Sequence, residues 1–187
     1  MQIFVSGTWK EGKALEYREQ ALLLGQALAD EGFDLACGPG TGISRHVIDG
    51  YRSRPIRGVV RYYLPLKTEM AKVGETVEPG ADEVEQTNFD YAMRNVYQVK
   101  QSNGLFVLTG GDGTLEEILP AVIDYGLAVG IVEGAGTAAK AIKALIEIFP
   151  EWEERVVFGA HMREVLPKFL ELVSRMNKRP SGAGGDL

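Results

Sequence analysis

The chain has 187 residues, of which 45% are hydrophobic and 25% charged, and its formal net charge is −6. This length suits one well-buried core and is short for two, and the composition is that of an ordinary soluble globular protein. The acidic balance argues against nucleic acid as the main partner, because proteins that live on a polyanion usually carry a basic excess. One basic cluster, Arg52, Arg54, Arg57 and Arg61, is interpreted as a solvated loop and strand edge.

Cellular setting and metal binding are constrained by a few residues. The single cysteine, Cys37, excludes an internal disulfide and fits the reducing cytoplasm, where we expect the protein to be located. Apolar runs are strand-sized, so no membrane span is predicted, and residues 2–6 are expected to form a first strand instead of a signal peptide. His46 and His161 have no companions at ligand spacing, so we predict no metal site.

Short apolar runs alternate with longer helical patterns, which is typical of a parallel sheet covered by helices on both faces. The predicted strands are residues 2–6, 33–37, 58–64, 104–109, 127–132 and 156–158. The predicted helices are residues 13–30, 43–52, 89–102 with Asn88 as N-cap, 114–125, 137–149 and 162–176. Residues 65–86 show no clean period and are interpreted as a loop, with room for a short strand, that covers a site.

These elements predict a fold and a domain arrangement. The fold is a three-layer α/β, Rossmann-like arrangement with an open parallel sheet of about six or seven strands. Residues 1–178 are expected to form one domain, and residues 179–187, rich in Gly, Pro and Ser, a disordered tail.

Glycine-rich turns follow three predicted strands, at residues 6–8, 38–42 and 109–114. In an open parallel sheet, ligands bind beyond the carboxyl ends of the strands, where glycine admits a ligand close to the backbone and helix N-termini attract anions. The alternative is that tight turns need glycine for steric reasons alone. Neither of the two longer turns, residues 38–42 and 109–114, matches the Gly-x-Gly-x-x-Gly fingerprint of dinucleotide-binding proteins, and neither contains the lysine of a P-loop. The predicted phosphate-binding residues are Gly7, Thr8, Gly38, Gly40, Gly42, Thr109, Gly110, Gly111, Gly113 and Thr114.

Residues 109–117, Thr-Gly-Gly-Asp-Gly-Thr-Leu-Glu-Glu, resemble the Pro-Gly-Gly-x-Gly-Thr-x-x-Glu motif of the LOG family, long labelled "lysine decarboxylase-like". The similarity extends to residues 93–100, 104–108 and 38–43 and covers roughly residues 1–149, within a wider Rossmann-like group that includes the DprA nucleotide-binding domain. It implies a homodimer that binds a nucleoside monophosphate and needs no redox cofactor. Enzymes of the family are phosphoribohydrolases, which cleave the N-glycosidic bond of nucleoside 5′-monophosphates. No pyridoxal phosphate motif supports the decarboxylase label.

The resemblance places the family's catalytic pair on Arg94 and Glu117. Two positions depart from the family pattern: Thr109 replaces a proline, and Asn95 replaces a lysine. The Arg-Asn pair resembles the less characterised branch of the group. Two functions therefore stay open, a phosphoribohydrolase and a non-catalytic module that senses or carries a nucleotide or a nucleotide-bearing cofactor. Asn95 favours the module. A DprA-like binder of single-stranded DNA would need a basic surface.

The candidate side chains also have structural interpretations. Glu117 can act as an acid or base, or close a capping box with Thr114, and Arg94 can bind phosphate or simply be solvated. On helical wheels both lie opposite an apolar stripe, so we expect neither in the core. Trp9 and Tyr51 can stack on a base, although packing is the commoner use of such aromatic residues.

Overall fold

The described part of the chain, residues 1–134 and 136–178, builds one sheet of seven parallel strands in this computed structural model. The order in the sheet is β4-β3-β2-β1-β5-β6-β7. The strands are β1 Gln2–Ser6, β2 Asp34–Cys37, β3 Val60–Leu64, β4 Glu83–Gln86, β5 Gly104–Val107, β6 Ala128–Val132 and β7 Val156–Gly159. The predicted open parallel sheet is confirmed, and the predicted tail lies outside the described residues.

Helices cover both faces of this sheet. They are α1 Glu11–Leu15, α2 Arg18–Asp30, α3 Ile43–Arg52, α4 Lys67–Val73, α5 Tyr91–Lys100, α6 Asp112–Ile123, α7 Thr137–Ile148, the 3₁₀ helix Pro150–Glu154 and α8 Met162–Asn177. One apolar cluster joins α2, α3 and α8 to one face, and a second joins α5, α6 and α7 to the other. Among the described helices, none has both the length and the apolarity that a bilayer span requires.

The strand order reverses between β1 and β5, and this reversal positions the site. The two strands are neighbours, with Ser6 opposite Val107 in register. The chain leaves β1 toward α2 and leaves β5 toward α6, and these helices cover opposite faces of the sheet. Their connections therefore diverge and open a crevice at the carboxyl ends of the two strands, where α/β proteins of this type bind ligands.

Residues 65–86, predicted as a loop with room for a short strand, hold both α4 and β4. β4 is an edge strand parallel to β3, with Arg61 opposite Glu83. Glu83 and Val84, the first two residues of this edge strand, are exposed. The strand therefore lacks the apolar run or clean alternation that reveals a buried strand in a sequence.

Three helix starts differ from the prediction. α5 begins at Tyr91, and the side chain of Asp90, not Asn88, caps it by accepting from the backbone nitrogen of Met93 at 2.9 Å. Residues 13–30 form two helices, α1 and α2, with a turn at residues 16–17. α6 begins at Asp112, two residues earlier than predicted, so Thr114 lies inside its first turn and is not its N-cap.

The arginines of the basic cluster are paired with carboxylates. Asp82 contacts Arg57 at 2.6 Å and Arg52 at 3.2 Å. The other pairs are Arg54 with Asp30 and Arg61 with Glu83. Such partly exposed pairs add little stability, but they balance the charge locally, so the cluster is not the basic surface that a DNA binder would present.

Candidate functional site

A cleft of about 910 Å³ opens at the carboxyl ends of β1 and β5. Its walls come from residues 4–11, 38–41, 44–45, 73–76, 78, 91, 94–95, 111–114 and 116–117. Nine of the twelve predicted site residues line it: Gly7, Thr8, Gly38, Gly40, Arg94, Gly111, Gly113, Thr114 and Glu117. The other three, Gly42, Thr109 and Gly110, lie outside the lining.

Two of those three residues serve close packing of the turns. A Cβ on Gly42, whose φ is +56°, would lie 2.3 Å from the backbone oxygen of Thr8, and one on Gly110 would lie 2.0 Å from Thr114 Oγ1. Gly7 lines the cleft but is also required for packing, because its Cβ would lie 2.7 Å from Ile43 Cβ. The steric interpretation of the glycines is therefore correct for part of each turn.

The beginning of α6 is open toward the cleft. Gly111 is the N-cap, and Gly113 and Thr114 follow in the first turn. A Cβ on Gly113 would meet no atom within 4 Å. Because the first amides of a helix have no intrahelical acceptor and the helix dipole is positive there, this turn is suited to hold an anion.

At the beginning of α3, other parts of the chain use more of the hydrogen-bonding groups and space than they do at the beginning of α6. The backbone nitrogen of Ile43, the first residue of α3, donates to the backbone oxygen of Thr8 at 3.0 Å. Gly40 sits against the sheet, where a Cβ would lie 2.5 Å from the hydroxyl of Tyr62. Of the two longer glycine turns, the one at α6 therefore leaves more of its hydrogen-bonding capacity to a ligand.

Glu117 is buried at the floor of the cleft, with 9% of its surface exposed, so the expectation that it lies outside the core is wrong. Its Oε2 accepts a short hydrogen bond from the Ser6 hydroxyl, and its Oε1 accepts from Gln98 Nε2 at 2.9 Å. The helical wheel predicts an outward position for Glu117 because it shows only which face of α6 is apolar. The start of α6 enters the crevice, where polar side chains of β1 and α5 surround the opposite face. The capping box does not form, because α6 begins before Thr114 and the Glu117 carboxylate bonds to other segments.

The environment of Glu117 favours its neutral form. Burial is the largest effect and raises the pKa of the carboxyl to about 7. The Ser6 hydrogen bond and the positive charge of Arg94 act in the opposite direction. The carboxyl therefore changes its charge near neutral pH.

Arg94 is also buried, with 6% of its surface exposed, although an outward position was expected. The apolar stripe predicted for α5, Phe89, Ala92, Val96 and Val99, is right only in part, because Val99 is buried but Phe89 and Ala92 are exposed. Arg94, Asn95 and Gln98 face the interior instead. The guanidinium donates through Nη1 to Gln98 Oε1 at 3.2 Å and lies over the ring of Tyr91 at 5.4 Å. Within residues 1–134 and 136–178, Arg94 Nε is buried without a hydrogen-bond partner.

Three residues that were not among the predicted site residues, Ser6, Tyr91 and Gln98, organise this polar group. Ser6 holds Glu117 and lies 3.1 Å from Thr114 Oγ1. Gln98, fully buried, joins Arg94 to Glu117, and Tyr91 supports the guanidinium while its hydroxyl donates to Glu75 Oε2 at 2.6 Å. The signals were present, since Ser6 ends an apolar strand and Gln98 follows Arg94 by one helical turn.

Asn95 is buried and neutral at the position where the LOG pattern has a lysine. Its Nδ2 donates to Glu116 Oε2 at 3.3 Å, so the amide is used between α5 and α6. A lysine there would add a second cation beside Arg94. This position of the cleft therefore contributes no positive charge.

The remaining candidates separate into packing and exposed residues. Tyr51 is fully buried and its hydroxyl donates to the backbone oxygen of Phe33 at 2.5 Å, so it is a packing residue. Cys37 is buried, and burial raises the pKa of its thiol. Trp9 lines the cleft and has 67% of its surface exposed.

Solved structures with the same fold include two proteins whose names say that they carry or bind the molybdenum cofactor. The Moco carrier protein from Chlamydomonas reinhardtii is 20% identical, with a TM-score of 0.74 over 93% of this chain and 98% of that chain. The molybdenum cofactor binding protein from Rippkaea orientalis is 18% identical, with a TM-score of 0.68 over 92% and 95%. DNA processing protein A from Helicobacter pylori is 12% identical, with a TM-score of 0.59 over 91% and 80%. Likeness at these identities shows the fold alone.

Comparison with sequences gives the family. No curated protein matches the chain. The model of the family described as SLOG cluster4 matches residues 1–164, which is most of the chain, in agreement with the predicted resemblance to the LOG and DprA group. The chain therefore belongs to the SLOG cluster4 family.

Proposed function

We propose that this protein binds a phosphate-bearing, nucleotide-like organic cofactor without transforming it, and that the molybdenum cofactor is the first ligand to test. The observation that carries the proposal is Arg94, a buried guanidinium whose Nε has no partner in the described part of the chain. A buried cation is costly unless an anion accompanies it. A phosphate at the start of α6 would supply both the negative charge and the missing acceptor.

The size and position of the cleft agree with such a ligand. Its volume of about 910 Å³ falls within the usual range for sites that enclose a small organic molecule, roughly 300–1,000 Å³. The proteins of similar fold from Chlamydomonas and Rippkaea are described as carrying or binding the molybdenum cofactor. That description supports a cofactor with a phosphate for this chain as well.

Two features make binding a better proposal than hydrolysis. Both oxygens of Glu117 already accept hydrogen bonds from the protein, one from Ser6 and one from Gln98. The lysine of the family's catalytic dipeptide is replaced by the neutral Asn95, whose amide is bonded to Glu116. A carboxyl held in this way and a missing cation both weaken the case for cleavage of a glycosidic bond.

One observation nevertheless favours a second candidate, a nucleoside monophosphate phosphoribohydrolase. Glu117 has a pKa of about 7, and a general acid or base works best when its pKa is close to the working pH. Incubation with a panel of nucleoside monophosphates, followed by chromatography for free base, tests this candidate. Base release by the wild type that disappears in Glu117→Gln would establish the enzyme and overturn the carrier proposal.

The binding proposal is tested with the molybdenum cofactor itself. Cofactor released anaerobically from a molybdoenzyme is mixed with the protein, the protein is separated by gel filtration, and molybdenum and pterin are measured in its peak. We expect stoichiometric co-elution that is lost in Arg94→Met. Arg18→Met, which changes an exposed arginine on α2 outside the cleft, is the matched control and should bind normally.

One set of results would contradict the binding proposal. If neither the cofactor nor guanosine or adenosine monophosphate co-elutes or raises the melting temperature, the proposal is wrong. The single domain over residues 1–178, the homodimer implied by the LOG resemblance and the cytoplasmic location stay predictions. Light scattering on the purified protein tests the dimer.

A further inference from the structure

Trp9 is a large aromatic residue held at the rim of the cleft with most of its side chain in solvent. It lies between β1 and α1 and has 67% of its surface exposed. The backbone of Trp9 packs closely against the backbone of Gly42, since a Cβ added to Gly42 would lie only 2.7 Å from the Cα and from the carbonyl carbon of Trp9. The preceding Thr8 is tied to α3 by the hydrogen bond from Ile43. The indole is therefore presented by a firmly packed turn.

Exposure of an indole forgoes a sizeable hydrophobic gain, since aromatic side chains bury about 150–250 Å² when they join a core. The other tryptophan, Trp152, follows the usual pattern. It is buried and stacks on Phe149 with ring centroids 5.0 Å apart and planes 17° apart. Trp9 is instead an exposed residue of the cleft lining, where a ligand can supply the contacts that the rest of the chain does not.

The strand register brings Trp9 and the proposed phosphate position to the same edge of the sheet. Ser6, at the end of β1, lies opposite Val107 at the end of β5, and neighbouring strands are about 4.8 Å apart. Trp9 follows Ser6 by three residues, a reach of at most about 11 Å, and Gly111 begins the α6 turn four residues after Val107. Both lie on the same cleft, so one molecule can touch both.

We infer that Trp9 stacks on a planar nitrogen heteroaromatic ring, a purine or a pterin, of the ligand whose phosphate lies at the start of α6. This inference rests on the proposed function and adds the class of ring that the site selects. A flat indole and a flat heteroaromatic ring attract each other in an offset stack, and the stacking tolerates changes in the ring because every such ring has a π-face.

The test compares guanosine monophosphate with ribose 5-phosphate, which has the same phosphate and sugar but no ring. Guanine shares its aminooxopyrimidine ring with pterins, so it represents both classes. Binding is measured by calorimetry, and by fluorescence in a Trp152→Phe background, where Trp9 is the sole tryptophan. We expect the nucleotide to quench Trp9 emission and ribose 5-phosphate to bind more weakly without quenching.

Substitution of Trp9 gives the decisive result. We expect Trp9→Ala to weaken guanosine monophosphate binding by roughly 5- to 150-fold, the range that base–aromatic stacking covers, and Trp9→Phe to retain most of it. Ribose 5-phosphate should bind both variants as it binds the parent. Equal nucleotide binding by parent and Trp9→Ala would overturn the inference and leave the proposed function intact. No binding of either compound or of the molybdenum cofactor would overturn both.

Discussion

Gln98 Nε2 lies 2.9 Å from Glu117 Oε1, so a fully buried amide on α5 holds a carboxyl on α6. The other end of the same amide accepts from Arg94 at 3.2 Å. An amide can satisfy both neighbours at once, because it carries a donor and an acceptor on one rigid group. The carboxyl of Glu117 and the guanidinium of Arg94 are therefore linked through one side chain.

Stability should depend on pH through Glu117. Burial raises the pKa of this carboxyl from 4.5 to about 7, so between these values the unfolded chain binds fewer protons than the folded protein. The free energy of unfolding should therefore fall as pH rises from about 4.5 to 7, by up to roughly 3 kcal/mol from this group, and change no further above that range. Thermal melts of the wild type and Glu117→Gln across pH 5 to 8 measure the effect. The glutamine variant should be the more stable of the two at high pH only, and parallel curves would contradict the expectation.

Ligand affinity should also fall as pH rises through about 7. An ionised Glu117 repels a phosphate and weakens the positive potential of Arg94, whereas the protonated form does neither. The loss is at most about tenfold per pH unit, because one proton is involved. Calorimetry with guanosine monophosphate measures it, and Glu117→Gln removes the dependence while keeping the ligand's own ionisation. If the affinity of the wild type and that of Glu117→Gln change equally with pH, Glu117 does not control ligand binding.

A methyl group at position 113 should interfere with binding without harming the fold. Gly113 lies in the first turn of α6, and an added Cβ would project into open space. We expect Gly113→Ala to raise the free energy of unfolding by up to about 1 kcal/mol and to weaken ligand binding by roughly tenfold or more. Gly12→Ala on α1, equally open but outside the cleft, is the matched control. Undiminished binding by Gly113→Ala would show that the ligand does not approach this turn.

The contact between α2 and α3 depends on glycine at position 25. A Cβ there would lie 2.0 Å from the backbone oxygen of Val47 and 2.7 Å from the backbone nitrogen of Tyr51, and backbone atoms of a helix cannot move aside. We expect Gly25→Ala to lower the free energy of unfolding by about 1–3 kcal/mol or more, as overpacked cores do. Urea denaturation measures this change. A midpoint equal to that of Gly12→Ala would show that the helices separate without cost.

The sequence supported the fold more strongly than the details of the site. The apolar run at residues 104–108 and the glycine turn after it could be interpreted locally, because a strand buried on both faces needs no partner to be recognised. For β4 the sequence indicates only room for a short strand within a loop, because Glu83 and Val84 are exposed at the sheet edge and show no apolar run. The resemblance to the LOG family singled out Arg94 and Glu117, but helical wheels put both on the wrong side.

By itself, the sequence determined the alternation of strands and helices and the glycine turns that end the strands, since these depend on neighbours along the chain. Only the tertiary structure decided that Gly42 and Gly110 pack the turns while Gly113 faces the cleft. It also decided that Arg94 and Glu117 are buried together, because that burial is created by β1, α5 and α6, which are far apart in sequence and meet only where the strand order reverses. A helical period reports which face is apolar, and it carries no information about polar groups that other elements bring to the opposite face.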